Sequence, residues 1–394
     1  MLVSRKRKGS LSRDIIVAVN LITAGVIFPP PLSRAGEGKG RPAVGITGVI
    51  VQGMFGGRIF GFDIDATGTD GVLSELQNGG VTAVETFDQN TGKILKVVAR
   101  MPVGQGSDFI TLGVTGTSAG LIERELVRGS FRPNRRFGTI NPLDRGRING
   151  RWTPPLDSHH LVSVISRNQG TPNNAVLTLD ISANGFMPTI FSSNIAANTF
   201  GPVITLTDDE FTNGCPALAY DPVNNRAILG VATLGNPFVP GKIATVDLAS
   251  GLFTKFTGVG DGDVNGIAYD PVSGTACTTT EIDYSVEFYN IATQSGFAER
   301  LPGAVNQFFS GADVEFDPIN RLFLVAQPHS STSSGGSSIH VYDISGNLIE
   351  SLNGFSFSNA SNVVPVHIAL NPAARLGFVD GPDAGVTQIE SFTY

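Results

Sequence analysis

The sequence predicts an all-β protein, a β-propeller of four-stranded antiparallel blades. One turn motif recurs as Ala219-Tyr220-Asp221-Pro222, Ala268-Tyr269-Asp270-Pro271, Glu315-Phe316-Asp317-Pro318 and Ala369-Leu370-Asn371-Pro372. Counted from Asp221 to Asp270, Asp317 and Asn371, the spacings are 49, 47 and 54 residues. That is the period of a blade. A second motif runs in phase with it. It reads Asp247-Leu248-Ala249-Ser250-Gly251, Asn290-Ile291-Ala292-Thr293-Gln294-Ser295-Gly296 and Asp343-Ile344-Ser345-Gly346-Asn347, with weaker copies at 180–185 and 65–71. No part of the repeat region shows the 3.6-residue period of a helix.

The turn chemistry explains the first motif. Asp or Asn accepts hydrogen bonds from backbone N–H groups two residues on, Pro fixes φ near −65°, and a later Gly or Asn takes positive φ. The residue before each Asp or Asn is large and apolar, as is the one two earlier (Leu218, Ile267, Val314, Ile368). This alternation marks a strand with one face turned to a neighbouring blade. The clearest unit, 265–303, reads as strand, Asp-Pro turn, second strand to Glu281, third strand from Ser285 to Ile291, turn, and last strand.

At the amino end, strands are predicted at 47–52, 58–65 and 71–76, aligned with the second to fourth strands of a blade. At the carboxyl end a blade has first, second and third strands (367–370, 376–380, 386–394) and no clear fourth. Incomplete blades at both ends imply a ring closed by pairing of the N- and C-terminal strands, which removes exposed sheet edges. Third strands are predicted near Ile59, Ile110, Val176, Ile243, Val286, Ile339 and Thr387, giving seven blades. Six is the alternative if the terminal pieces merge.

Residues 1–35 differ from the rest. Arg5-Lys6-Arg7-Lys8 precede an apolar run over 15–28, then Pro29-Pro30-Pro31 and Ser33-Arg34-Ala35. This is the order of a secretory signal peptide, with cleavage after Ala35. The run is shorter than the roughly 20 residues that span a bilayer, so no transmembrane span is expected in the mature chain. A linker at 36–44 and a single propeller at 45–394 follow. The localisation expected is secreted, periplasmic or cell-surface. The formal charge is −7. Losing six basic residues (Arg5, Lys6, Arg7, Lys8, Arg13, Arg34) and Asp14 leaves −12, a sign that argues against nucleic acid as a partner. A monomer is expected.

Few residues suggest chemistry. Gly116-Thr117-Ser118-Ala119-Gly120 matches a nucleophile pattern that needs a strand-to-helix elbow and a triad His. Here it falls in register with a third-to-fourth-strand turn, so Ser118 is not expected to be catalytic. Cys215 and Cys277 lie in neighbouring blades and are either paired or buried free thiols. No Cys or His pair has zinc spacing. The segment 129–151, rich in Arg and Asn, reads as an irregular solvated loop or, less simply, a basic patch. Loops leading into first strands and loops joining second to third strands line one mouth of the channel. The candidate ligand-binding residues there are Asp263, Asn265, Asp283, Asp313 and His329. Glu281 and His367 are the acid–base candidates, and Asp313 and Asp380 would hold a divalent cation such as Ca²⁺.

The Asp-Pro turns, apolar strands and Val-Asp-Leu-x-x-Gly run (Val246 to Gly251) resemble the YVTN-type and lactonase-type seven-bladed propellers. YVTN-type relatives imply an exported binding protein. Lactonase-type relatives imply hydrolysis of sugar or muconate-type lactones by polar residues at the mouth. Pro365-Val366-His367 is similar to that family's Pro-Arg-His with Val366 in place of Arg, and Glu281 matches the Glu of its Asn-Glu pair with Thr280 in place of Asn. The expected function is an exported, non-catalytic propeller that binds a small molecule or an extracytoplasmic protein at the channel mouth. A lactonase-like hydrolase is the alternative.

Overall fold

The computed structural model describes residues 44–65, 69–76, 82–100, 105–112, 119–127, 130–140, 148–152, 160–165, 175–182, 189–194, 199–200, 204–213, 217–233, 239–280, 285–303, 313–328, 337–357, 366–383 and 386–394. Among the described residues there are seven antiparallel sheets; in six the strands follow one another outwards in sequence order, and the seventh adds the amino-terminal strand outside three carboxyl-terminal ones. The innermost strands are Arg58–Ile64, Gln105–Leu112, His160–Ile165, Ala217–Asp221, Val264–Asp270, Asp313–Asp317 and His367–Asn371. Each lies beside the next, and His367–Asn371 lies beside Arg58–Ile64, so the ring of seven blades closes. The third blade carries an extra short strand, Ile204–Thr205, on its third strand.

Closure uses the two ends of the propeller chain. The strand Gly45–Val51 pairs with Val386–Thr393, with Gly45 opposite Thr393 and Val51 opposite Ile389. It is the outermost strand of the seventh blade. The hydroxyls of Thr47 and Ser391 are bonded across this pair. The pairing hides what would be an open sheet edge. Deleting residues 1–51 is expected to give aggregated protein in size-exclusion chromatography, whereas deleting 1–35 leaves elution unchanged.

The count of seven holds, although strand assignments in the first three blades differ from those expected. Ile59 and Ile110 lie in first strands and Val176 in a second. The third strands there are Thr82–Asp88, Ser130–Ile140 and Thr189–Asn194. Ala119 and Gly120 therefore open the second strand of the second blade rather than a third-to-fourth turn, and 116–118, Ser118 among them, lie outside the described residues. The segment 129–151 includes the third strand and most of the fourth, Ile148–Trp152, rather than an irregular loop. Outer strands need little apolar burial, so their sequence reads as loop. The real third-to-fourth turn of the first blade is Asp88-Gln89-Asn90-Thr91-Gly92. Asp88 Oδ1 accepts from the N–H groups of Asn90 and Thr91 and from the Thr91 hydroxyl. Asp247 does the same with Ala249 and Ser250, and Gly92 and Gly251 take φ of 69° and 74° to close the turns.

The apolar core lies between blades. Tyr269, Ile267 and Tyr289 of the fifth blade pack on Ala219 and Ile228 of the fourth. Phe288 and Val286 pack on Phe323 and Tyr342 of the sixth. Burial of each such large side chain contributes about 2–3 kcal/mol. Cys277 is a buried free thiol in this core, and Cys215 lies outside the described residues.

A polar belt runs along the same interfaces at the Asp-Pro turns. Arg226 donates to Asp221 Oδ2 at 2.7 Å and to the Tyr269 hydroxyl of the next blade at 3.1 Å. Arg321 of the sixth blade pairs with Asp270 of the fifth at 2.5 Å. Tyr394 of the seventh donates to Asp317 Oδ2 of the sixth at 2.9 Å. Asn371 of the seventh donates to Gln89 of the first at 3.0 Å. The turn Asp thus has two roles, shaping its own hairpin and fastening the adjacent blade.

Candidate functional site

The mouth is built where first strands begin and second strands end. Asp263 precedes the first strand of the fifth blade. Its Oδ1 accepts from the Thr233 N–H at 2.6 Å and the Thr233 hydroxyl at 2.9 Å, just beyond the second strand of the fourth blade. Asn265 is half-buried within the same first strand. Asp313 opens the first strand of the sixth blade. Its Oδ1 accepts from the Val314 N–H and its Oδ2 from the Ile368 N–H of the seventh blade, both at 2.9 Å. Asp380 lies within the second strand of the seventh blade, Leu376–Asp383, which runs three residues further than expected; it stands opposite His367, and its Oδ1 accepts the His367 N–H at 2.8 Å.

Three nominated residues are therefore brought together: Asp313, His367 and Asp380. His367 Nδ1 stands 3.9 Å from Asp313 Oδ2. That is an ion-pair distance for a protonated imidazole and too long for a hydrogen bond. A Cβ added at Gly266 would come within 2.9 Å of Asp313 Cα, so glycine there lets the fifth and sixth blades approach closely. Val366, which stands where the lactonase-type pattern has Arg, is buried in the apolar core between the sixth and seventh blades. Glu281, Asp283 and His329 lie outside the described residues. Among the described residues, no group of three or more His, Cys, Asp or Glu is arranged to hold a metal ion.

The geometry gives these carboxylates a bracing role. Charge-assisted bonds from backbone N–H groups fix strand ends across a blade boundary at Asp263 and Asp313, and tie two strands of the seventh blade together at Asp380. The same lone pairs would have to be shared with any cation or proton donor brought to the mouth.

A second polar series was missed by motif reading. Three residues before the third strand's closing Asp or Asn stand Glu85, Glu287 and His340, and Glu390 holds the matching place in the seventh blade. Most of them meet the segment arriving from the preceding blade. Glu85 Oε2 accepts the Met54 N–H at 2.9 Å, and nearby Glu75 accepts from Phe55 at 3.2 Å and from Gly57. Glu390 accepts the Ser356 N–H at 2.8 Å. Glu287 accepts hydroxyls from Thr278, Thr280 and Ser285 at 2.7, 3.1 and 2.7 Å, and Gly260 packs directly on it. His340 lies 2.6 Å from Gln327 Oε1 and 2.9 Å from the Ser351 hydroxyl, and burial lowers its pKa to about 4. It is therefore neutral at physiological pH, donating to Gln327 and accepting from Ser351. The signal was present in the register of the third strands, but it appears only once those strands are aligned on their closing turns.

No family model and no curated protein matches the chain in sequence. Solved structures match its fold. A chain of the crystal structure of the mitotic checkpoint complex has a TM-score of 0.56 at 13% identity, over 100% of this chain and 98% of that one. Raptor from Chaetomium thermophilum has a TM-score of 0.60 at 12% identity, over 89% of this chain and 29% of that one. The chain is a β-propeller.

Proposed function

We propose that the chain is an exported, non-catalytic propeller of the YVTN-like kind that holds a small molecule or an extracytoplasmic protein at its channel mouth. One observation supports the non-catalytic part. Asp263, Asp313 and Asp380 accept bonds from backbone amides, so they brace the rim. The buried Val366, standing where the lactonase-type pattern has Arg, favours the same reading over a lactonase-like one. The amino-terminal pattern of basic, apolar and small residues supports export.

The test uses residues 36–394 with a panel of sugar and muconate-type lactones, with and without Ca²⁺. The expected result is no turnover above background in either condition. Lactone hydrolysis that is lost in His367→Ala, with folding intact, would replace this proposal with the hydrolase reading. Fractionation of cells expressing the full chain tests export separately. The expected product is a shortened protein outside the cytoplasm, and a full-length cytoplasmic one would remove that part.

A further inference from the structure

Asn353 and Gly354 lie in Leu348–Phe355, the outermost strand of the sixth blade, and both are exposed. Pairing with the third strand slips at this point. Ser338 stands opposite Asn353 and Ser337 opposite Phe355, so Gly354 is left over as a bulge. A bulge interrupts the ladder and leaves its extra residue unpaired. Gly354 takes φ of 99°, which glycine adopts without strain. The nearest atom to a Cβ built on it is Ile46 Cδ1, 4.0 Å away. The backbone here has room to turn.

An Asn followed by Gly carries its own electrophile and nucleophile. The glycine nitrogen attacks the Asn Cγ when the backbone between them rotates, and a glycine puts no Cβ in the way. Close packing forbids that rotation. Asn265-Gly266 shows the contrast. It also sits at a register shift, but in an innermost strand. Gly266 is buried, and a Cβ on it would come within 3.0 Å of Asp313 Cα, Val314 N and Thr279 Oγ1. No such wall stands beside Gly354. The Ser338 hydroxyl donates to Asn353 Oδ1 at 2.7 Å, the oxygen that gains charge as Cγ is attacked.

We propose that Asn353 is a modification site, at which the folded chain converts itself, with water as the only reagent, to aspartate and isoaspartate. The Gly354 nitrogen bonds to Asn353 Cγ, the Cγ–Nδ2 bond breaks, and ammonia leaves with the proton shed by Gly354. Water then opens the cyclic imide at either carbonyl. One opening restores the main chain with an Asp side chain. The other routes the main chain through the side-chain carbonyl, as isoaspartate. Either product adds a carboxylate, ionised at neutral pH, to the strand that leads into Ser356, whose N–H is held by Glu390 of the seventh blade. The conversion is independent of what the mouth holds, since it uses an outer strand.

Incubation of the full chain at mildly alkaline pH, followed over weeks by peptide mapping with mass spectrometry, tests it. In the native chain Asn353 is expected to convert at least fivefold faster than Asn265. In guanidinium chloride, where neither glycine is packed, the two are expected to convert at rates within twofold of each other. Isoaspartate at 353 is read separately by enzymatic isoaspartyl methylation. Asn353→Gln, whose longer side chain disfavours the ring, is expected to lose both the acidic product and the methylation. A native chain in which Asn353 converts no faster than Asn265 overturns the proposal, as does an Asn353 that stays intact when native and converts only when unfolded.

Discussion

Asp317→Ala is expected to lower the unfolding free energy by about 3–5 kcal/mol. Asp317 is fully buried. Its Oδ1 accepts the N–H groups of Ile319 and Asn320 at 2.8 Å each, and its Oδ2 accepts the Asn320 amide at 2.7 Å and the Tyr394 hydroxyl at 2.9 Å. Truncation strands the buried Tyr394 hydroxyl away from water, at about 1–3 kcal/mol, and removes the acceptor that the part-buried Ile319 and Asn320 donors share at the turn. Asp247→Ala removes the same kind of turn acceptor at an exposed site, where water replaces it, and is expected to cost much less than Asp317→Ala. Tyr394→Phe removes only the blade-to-blade bond and should cost about 1 kcal/mol. Urea unfolding of the three variants decides the matter. If Asp317→Ala were no worse than Asp247→Ala, the belt between blades would not be a stabilising element.

The belt also has a pH signature. Burial alone would raise the Asp270 carboxyl, but the Arg321 guanidinium and the Ser273 hydroxyl outweigh it and hold the pKa below the usual carboxylate value. A lowered value means that its contribution is present above the unfolded-state pKa and is lost as pH falls through the folded-state one. Asp270 therefore contributes to acid denaturation and not to changes near neutrality.

Glu85→Gln is expected to act in the opposite direction. Glu85 is completely buried. Burial pushes its carboxyl up to about 7 and the Glu75 charge adds to this, while the Met54 N–H and Arg100 pull it part of the way back. A raised carboxyl is protonated in the folded chain at pH values where it is ionised in the unfolded one. Its stabilising contribution is thus complete below pH about 4.5 and is lost as pH rises through about 7, which costs about 3 kcal/mol by pH 9. Gln keeps an acceptor for Met54 and cannot ionise. The variant should match the wild type near pH 4.5 and exceed it by about 3 kcal/mol at pH 9. Chemical unfolding at both pH values reads this directly. A wild-type-to-variant difference that does not change with pH would show that Glu85 ionises freely.

Much of this molecule follows from local chemistry that a sequence displays. Asp221, Asp270 and Asp317 announce their turns because Asp, Pro and a later Gly or Asn do in isolation what they do in the fold. Strand alternation beside those turns then gives blade count and closure. The first three blades were harder, since a turn such as Asp88 to Gly92 has no Asp-Pro partner at the usual distance and polar outer strands resemble loops.

By itself, then, the sequence determined the propeller, its seven blades, its closure through the two ends and the hairpin turns of the fourth to seventh blades. Only the tertiary structure decided what each polar side chain does. A carboxylate in a sequence is equally a catalytic acid, a metal ligand or a brace. Which one it is depends on the atoms that other blades bring to it. Ile368 at Asp313 and Tyr394 at Asp317 come from about fifty to eighty residues away in the chain.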